Sequence, residues 1–202
     1  MRRTTSRLVL IAAAVALFPA PARADFFLVP FAGMKFGGST SIVDLELAAA
    51  KKKLALGIAA RQTSDRIVGY EVEFTNIASY FANEQVSAIR PLVKTGSYVN
   101  DLTGNVVLSL PPGVTGGGLR PYAVVGGGLI HARSADFFDV ITVRRTVAAL
   151  NLGVGATGMF TNNVGVRFDL RFLRSLSTDP PTGSVGHHIA YSRLSVGLMV
   201  RP

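Results

Sequence analysis

The sequence predicts an all-β chain folded as an eight-stranded antiparallel up-and-down transmembrane β-barrel, and three observations carry that prediction. Apolar and polar residues alternate with period two along successive segments, most of them near the roughly 9–11 residues that cross a bilayer when tilted. The connections between those segments alternate long and short, as they do when one end of a barrel carries turns and the other carries loops. The chain is 49% hydrophobic and only 16% charged, with no Cys. That balance excludes a disordered chain, a disulfide framework and a thiolate zinc site, and leaves apolar groups that must face something besides a small interior.

The first 24 residues are expected to be a cleaved export signal. Met1 to Arg7 is basic, Leu8 to Phe18 is continuously apolar, and Ala22-Arg23-Ala24 is a small-x-small cleavage site,. The apolar run is shorter than the roughly 20 residues of a spanning helix, which argues against an uncleaved anchor. The expected mature domain is 25–202. After residue 25 no apolar stretch is long enough for a helical span,.

Six segments alternate cleanly. Leu54, Leu56, Ile58 and Ala60 oppose Ala55, Gly57, Ala59 and Arg61; Val68, Tyr70, Val72 and Phe74 oppose Gly69, Glu71, Glu73 and Thr75. Leu102, Val106, Leu108 and Leu110 oppose Asp101, Thr103, Asn105 and Ser109, while Leu150, Leu152, Val154 and Ala156 oppose Asn151, Gly153, Gly155 and Thr157. The clearest case sets Val164, Val166, Phe168, Leu170 and Phe172 against Gly165, Arg167, Asp169 and Arg171. The last sets Leu194, Val196, Leu198 and Val200 against Arg193, Ser195, Gly197 and Arg201. Phe26 to Phe36 and Leu119 to Arg133 are also long enough, but apolar or Gly residues occupy both of their faces, so the pattern assigns no inward side. Counting them gives eight strands, and closure follows because hydrocarbon offers no partner to an unpaired sheet edge.

The short connections fall at about 62–66, 111–118 and 160–163 and carry the turn formers Thr63-Ser64-Asp65, Pro111-Pro112-Gly113 and Asn162-Asn163,. The long ones fall at about 37–53, 78–97, 134–143 and 174–189. A soluble sandwich has no reason to obey that alternation.

Phe27 to Gly33, Leu119 to Leu129, Asn151 to Gly155 and Asn163 to Arg171 together resemble the small eight-stranded outer-membrane barrel proteins of OmpA and OmpX type, often labelled porin-like. The resemblance covers the whole expected mature chain and implies a monomeric barrel in a bacterial outer membrane. Such proteins commonly finish on an aromatic residue read by the insertion machinery, whereas this chain finishes Val200-Arg201-Pro202.

On this fold Arg61, Glu71, Glu73, Asp101, Arg167, Asp169, Arg171 and Arg193 point into a lumen about wide enough for side chains to fill. They are expected to pair as an ionic network, either a static polar core or a plug whose Arg–Glu partners exchange. Gly126, Gly127 and Gly128 invite a phosphate-loop interpretation, but no helix follows them, so they are expected to relieve crowding in a tight barrel. His131, His187 and His188 lack carboxylates at ligand spacing, so no metal is expected. His188 with Ser184 or Ser192 is a conceivable lipid-modifying pair, yet no nucleophile motif surrounds it and no catalytic residue is assigned.

The formal charge of +9 falls in the expected mature chain because four of the 21 basic residues lie in the leader. Lys51, Lys52 and Lys53 form its only basic run, and no nucleic-acid module accompanies it,. These lysines, with Phe137 and Phe138, are candidates for contact at the outer surface, the lysines with lipopolysaccharide headgroups. Tyr80, Phe81, Val140 and Ile141 are further apolar residues in expected external loops, and Asp44 to Lys53 could form a helical turn with acidic residues early and basic ones late,. The expectation is a non-enzymatic structural or surface-interaction protein without cofactors. A narrow porin, a lipid-modifying enzyme and an exported soluble carrier are its alternatives.

Overall fold

The computed structural model describes residues 25–40, 52–63, 67–80, 97–115, 118–135, 142–176 and 189–202. They form β1 (Asp25–Thr40), β2 (Lys53–Thr63), β3 (Val68–Ala78), β4 (Tyr98–Ser109), β5 (Leu119–Ala135), β6 (Thr142–Met159), β7 (Val164–Ser175) and β8 (Ile189–Val200), with one helical turn, α1 (Pro112–Thr115), between β4 and β5. Each strand pairs antiparallel with its neighbours in sequence, and β8 returns to pair with β1, so the sheet is a closed barrel without a free edge.

Closure follows from what each strand presents to its two sides. On β3, Val72 is 56% exposed while its neighbours Glu71 and Glu73 are 2% and 1% exposed. The alternation therefore runs opposite to that of a soluble sandwich, with aliphatic groups outside and carboxylates enclosed. The same inversion places Leu54, Leu56 and Ile58 of β2, Leu102 and Leu108 of β4, and Phe168, Leu170 and Phe172 of β7 on the outer wall. Against water these exposed rows would be a severe liability; against acyl chains they are the favourable surface.

The two segments without a clean pattern resolve for a physical reason. In β1 Phe27, Val29, Phe31 and Lys35 face inward and Phe26, Leu28 and Met34 outward; in β5 Tyr122, Val124 and Ile130 face inward and Val125 and Leu129 outward. Apart from Lys35, these inward residues are apolar or aromatic because parts of the lumen are themselves apolar. Gly37, at φ +54°, takes the left-handed conformation where the β1–β8 register shifts between Phe36 and Gly38,.

The connections leave from the ends that the pattern requires. Residues 64–67, 110–118 and 160–163 join strands at the end where Asp25 meets Arg201 at 2.6 Å, and 41–52, 79–97, 136–141 and 176–188 join them at the other. Strand overruns the edges of expected loops: β1 continues to Thr40, past the start of the loop expected at 37–53. The β5–β6 pairing is continuous from Leu119↔Gly158 to Ala135↔Thr142, so strand replaces the start and end of the expected loop at 134–143. β4 reaches along β5 only to Arg133 and β7 along β6 only to Ala149, so the last described pair of this hairpin, Ala135↔Thr142, lies beyond the paired ends of its neighbours. Gly126, Gly127 and Gly128 lie within β5 and no helix follows them.

Candidate functional site

Among the described residues the lumen is where the fold concentrates chemistry, and it is layered along the barrel axis. The middle layer is ionic. Arg167 donates through Nη1 to Glu71 Oε2 at 2.6 Å and through Nη2 to Glu73 Oε2 at 2.9 Å, and its Nε meets Asp169 Oδ2. Arg171 donates through Nη2 to Glu71 Oε1 at 2.8 Å and through Nε to Asp169 Oδ1 at 3.1 Å. Arg193 reaches Glu73 Oε1 at 2.5 Å and the Thr75 hydroxyl. Tyr122 and Tyr191 donate their hydroxyls to Asp169 and Asp101, and Asn151 donates to Asn105 at 2.8 Å. The two glutamates are thus shared among three guanidinium groups supplied by β7 and β8, on the far wall from β3. Each of these groups loses water on burial but gains opposite charges and directed donors in exchange.

Glycine makes room for this packing. A Cβ on Gly153 would stand 2.5 Å from Arg171 Cδ, and one on Gly155 would stand 2.5 Å from the Tyr122 hydroxyl oxygen. Facing rings complete the layer, with Arg193 over Phe31 at 4.6 Å and Arg61 over Tyr122 at 4.1 Å,.

Towards the loop end the lumen turns apolar. Ala55, Ile77, Tyr80, Val99, Ile130, Ala132, Ala149, Leu173, Ile189 and Tyr191 form one buried cluster, joined by Tyr80 and Tyr191 meeting edge to face at 5.9 Å. Lys35 lies over the Tyr80 ring at 4.3 Å. Tyr80, in the connection after β3, is fully buried and packs into this cluster. Burial pushes its hydroxyl far above the ordinary phenol range,. Towards the turn end Phe27, Val29, Ala59 and Met199 pack together, beside Val107, Tyr122 and Val124.

All eight expected lumen residues, Arg61, Glu71, Glu73, Asp101, Arg167, Asp169, Arg171 and Arg193, are buried in this interior. Arg61 stands apart from the rest, its Nη1 4.0 Å from Glu71 Oε2. Lys35 escapes the sequence pattern because β1 has apolar residues on both faces, and most of the apolar layer escapes it because residues such as Ile77, Val99, Leu173 and Ile189 stand at the loop ends of their strands, where the inward side is no longer polar. Lys52 is exposed and Lys53 opens β2. Lys51, Phe137, Phe138, Phe81, Val140, Ile141, Ser184, His187 and His188 lie outside the described residues, as does most of the Asp44–Lys53 segment. His131 Nδ1 is 2.8 Å from Thr146 Oγ1. Among the described residues no cluster of His, Asp and Glu has metal-binding geometry.

Comparison with known proteins agrees with this architecture. The chain superposes on Neisserial surface protein A with a TM-score of 0.63 at 17% identity, covering 89% of this chain and 99% of that one. Ail of Yersinia pestis, solved in complex with the heparin analogue sucrose octasulfate, gives 0.54 at 12% identity over 89% and 99%. A major outer membrane protein of Thermus thermophilus gives 0.53 at 14% over 89% and 99%. At these identities the likeness speaks to fold. No curated protein matches the sequence. A family model described as outer membrane protein beta-barrel domain matches residues 10–201. With a lipid-facing outer wall, a closed sheet and that match, the chain belongs to the outer membrane protein β-barrel family and has its place in the outer membrane.

Proposed function

We propose that the protein is a non-enzymatic, monomeric barrel with a structural or surface-interaction role, exported by its N-terminal signal and closed to the passage of solutes. The observation that supports this most is the stacking of two different seals in one lumen. A hydrated ion entering from the loop end would first have to part the Tyr80–Tyr191 layer and then displace paired charges in the Glu71–Arg167–Arg171 layer. Opening one layer leaves the other shut. Interaction with the surroundings then belongs to the long connections, where Lys51, Lys52 and Lys53 would meet the anionic headgroups of lipopolysaccharide.

A narrow porin is the second reading, favoured by Glu71, whose two oxygens are divided between Arg167 and Arg171 with Arg61 waiting at 4.0 Å. Such sharing is what partner exchange needs. Planar-bilayer recording of the purified protein separates the two. The closed barrel gives no reproducible open level in the wild type; steady openings whose size changes on Glu71→Gln would establish the pore instead.

A further inference from the structure

We propose that the periplasmic mouth of the barrel is a binding site for a small oxyanion, of the phosphate or sulfate class, held by Arg61. At the turn end the lumen opens into a cavity of about 290 Å³. Arg61 forms part of its wall together with Arg120, Arg201, Asp25, Thr157 and Asn162. Phe27 and Met199 of the apolar turn-end cluster line it as well.

Two independent observations point to an anion. The first is the charge balance of the buried interior. Among the described residues five cationic side chains are buried, Lys35, Arg61, Arg167, Arg171 and Arg193, against four carboxylates, Glu71, Glu73, Asp101 and Asp169. The carboxylates are committed elsewhere: both oxygens of Glu71 are taken by Arg167 and Arg171, those of Glu73 by Arg193 and Arg167, and those of Asp169 by Arg167, Arg171 and Tyr122. Asp101 pairs with Tyr191, away from this mouth. The surplus positive charge nearest the cavity is therefore Arg61.

The second observation is the state of that side chain. Arg61 is 1% exposed, its Nε and Nη1 have no hydrogen-bond partner, and the nearest carboxylate oxygen is 4.0 Å away. A buried guanidinium with unmet donors is costly, and the ring of Tyr122 beneath it satisfies the face of the cation but none of its N–H groups,. Both nitrogens are enclosed, so an oxyanion in the cavity would accept from them after the guanidinium shifts towards the mouth, and would then balance the charge,. Hydroxyl and amide donors from Thr157 and Asn162 line the same space, and Arg120 and Arg201 raise the positive potential at its rim,. Asp25, the one carboxylate in the wall, is engaged by Arg201 at 2.6 Å.

The oxyanion could be free in the periplasm or carried on a phospholipid headgroup, and the test distinguishes them. Full-length mature protein, folded in a maltoside micelle and checked by heat-modifiable migration, is titrated with inorganic phosphate by calorimetry. The expected result is saturable binding that weakens by at least about tenfold in Arg61→Gln, with a smaller loss in Arg120→Gln. Because Arg61→Gln could impair folding, the side-chain Nε–H resonance of Arg61 is followed by NMR in the wild type, and it should move on phosphate addition in proportion to occupancy. Short-chain phosphatidylglycerol is then titrated in the same way. Tighter binding of the lipid assigns the site to a headgroup, and tighter binding of phosphate assigns it to a free anion. Absence of saturable binding by both, or binding of equal strength in the wild type and Arg61→Gln with an unmoved Arg61 resonance, overturns the proposal.

Discussion

Glu71 shows how much rests on single side chains in a lumen this narrow. Its buried carboxylate lies 2.6 Å from one guanidinium and 2.8 Å from another. Glu71→Gln keeps the shape but removes the charge, leaving Arg167 and Arg171 with fewer counter-charges at a site already short of them. We expect a loss of about 3–5 kcal/mol, the range for breaking a buried pair by removing one partner. The urea midpoint of the heat-modifiable band measures it. Combining Glu71→Gln with Arg61→Leu should recover part of the loss, because the second change removes an uncompensated cation. The membership of this layer was legible in the sequence because Arg, Glu and Asp stand at every second position between aliphatic residues, as in Arg167, Asp169 and Arg171. The partners were not legible. Which carboxylate meets which guanidinium depends on strands on opposite walls, and nothing local in the sequence distinguishes the well-paired Arg171 from the isolated Arg61.

At the scale of a strand, the decisive property is which face meets lipid. β3 offers a sharp test because Val72, on the outer wall, sits between Glu71 and Glu73 on the inner one. Arg at an outward position near the bilayer midplane costs about 2–4 kcal/mol, whereas a surface substitution in a water-soluble barrel usually falls within about 0.5 kcal/mol. Val72→Arg is therefore expected to lower the unfolding free energy in lipid vesicles by the larger amount, and a change near zero would contradict the assignment of that wall to hydrocarbon. The strands that alternate in the sequence can be oriented by inspection. β1 and β5 cannot, since Phe27, Val29 and Phe31 build apolar parts of the lumen while Phe26 and Leu28 face lipid. A period-two signal disappears wherever both environments are apolar, as in β1 and β5; the apolar seal is hidden differently, because Ile77, Val99, Leu173 and Ile189 stand at the loop ends of alternating strands, where the inward side changes from polar to apolar. Tyr80 is hidden for a different reason: it lies past the end of β3, where no periodicity constrains its direction, and it packs inward against Tyr191 and beneath Lys35.

The property of the whole molecule is closure, and it depends on the β1–β8 seam rather than on where the chain happens to start. That seam is paired from Leu28↔Val200 to Thr40↔Ile189, and Asp25 and Arg201 lie 2.6 Å apart at its turn end. The two ends of the barrel domain are thus neighbours across a paired boundary. Joining them with a short linker and opening the chain within 41–52 creates a circular permutant that preserves every strand pair while converting the seam into an ordinary hairpin. We expect this permutant to fold in detergent micelles with the same compact unboiled migration as the parent. Deleting 189–202 has the opposite consequence: it leaves the donors and acceptors of β1 and β7 unpaired on facing edges, and hydrocarbon supplies nothing to replace them. That truncated chain should show no heat-modifiable form and should aggregate when detergent is diluted. Equal behaviour of the two variants would mean that pairing across the seam does not govern folding. The comparison separates the requirement for a closed sheet from any requirement for a particular end of the chain, because only the sheet differs between a permutant that keeps all eight strands and a truncation that keeps seven.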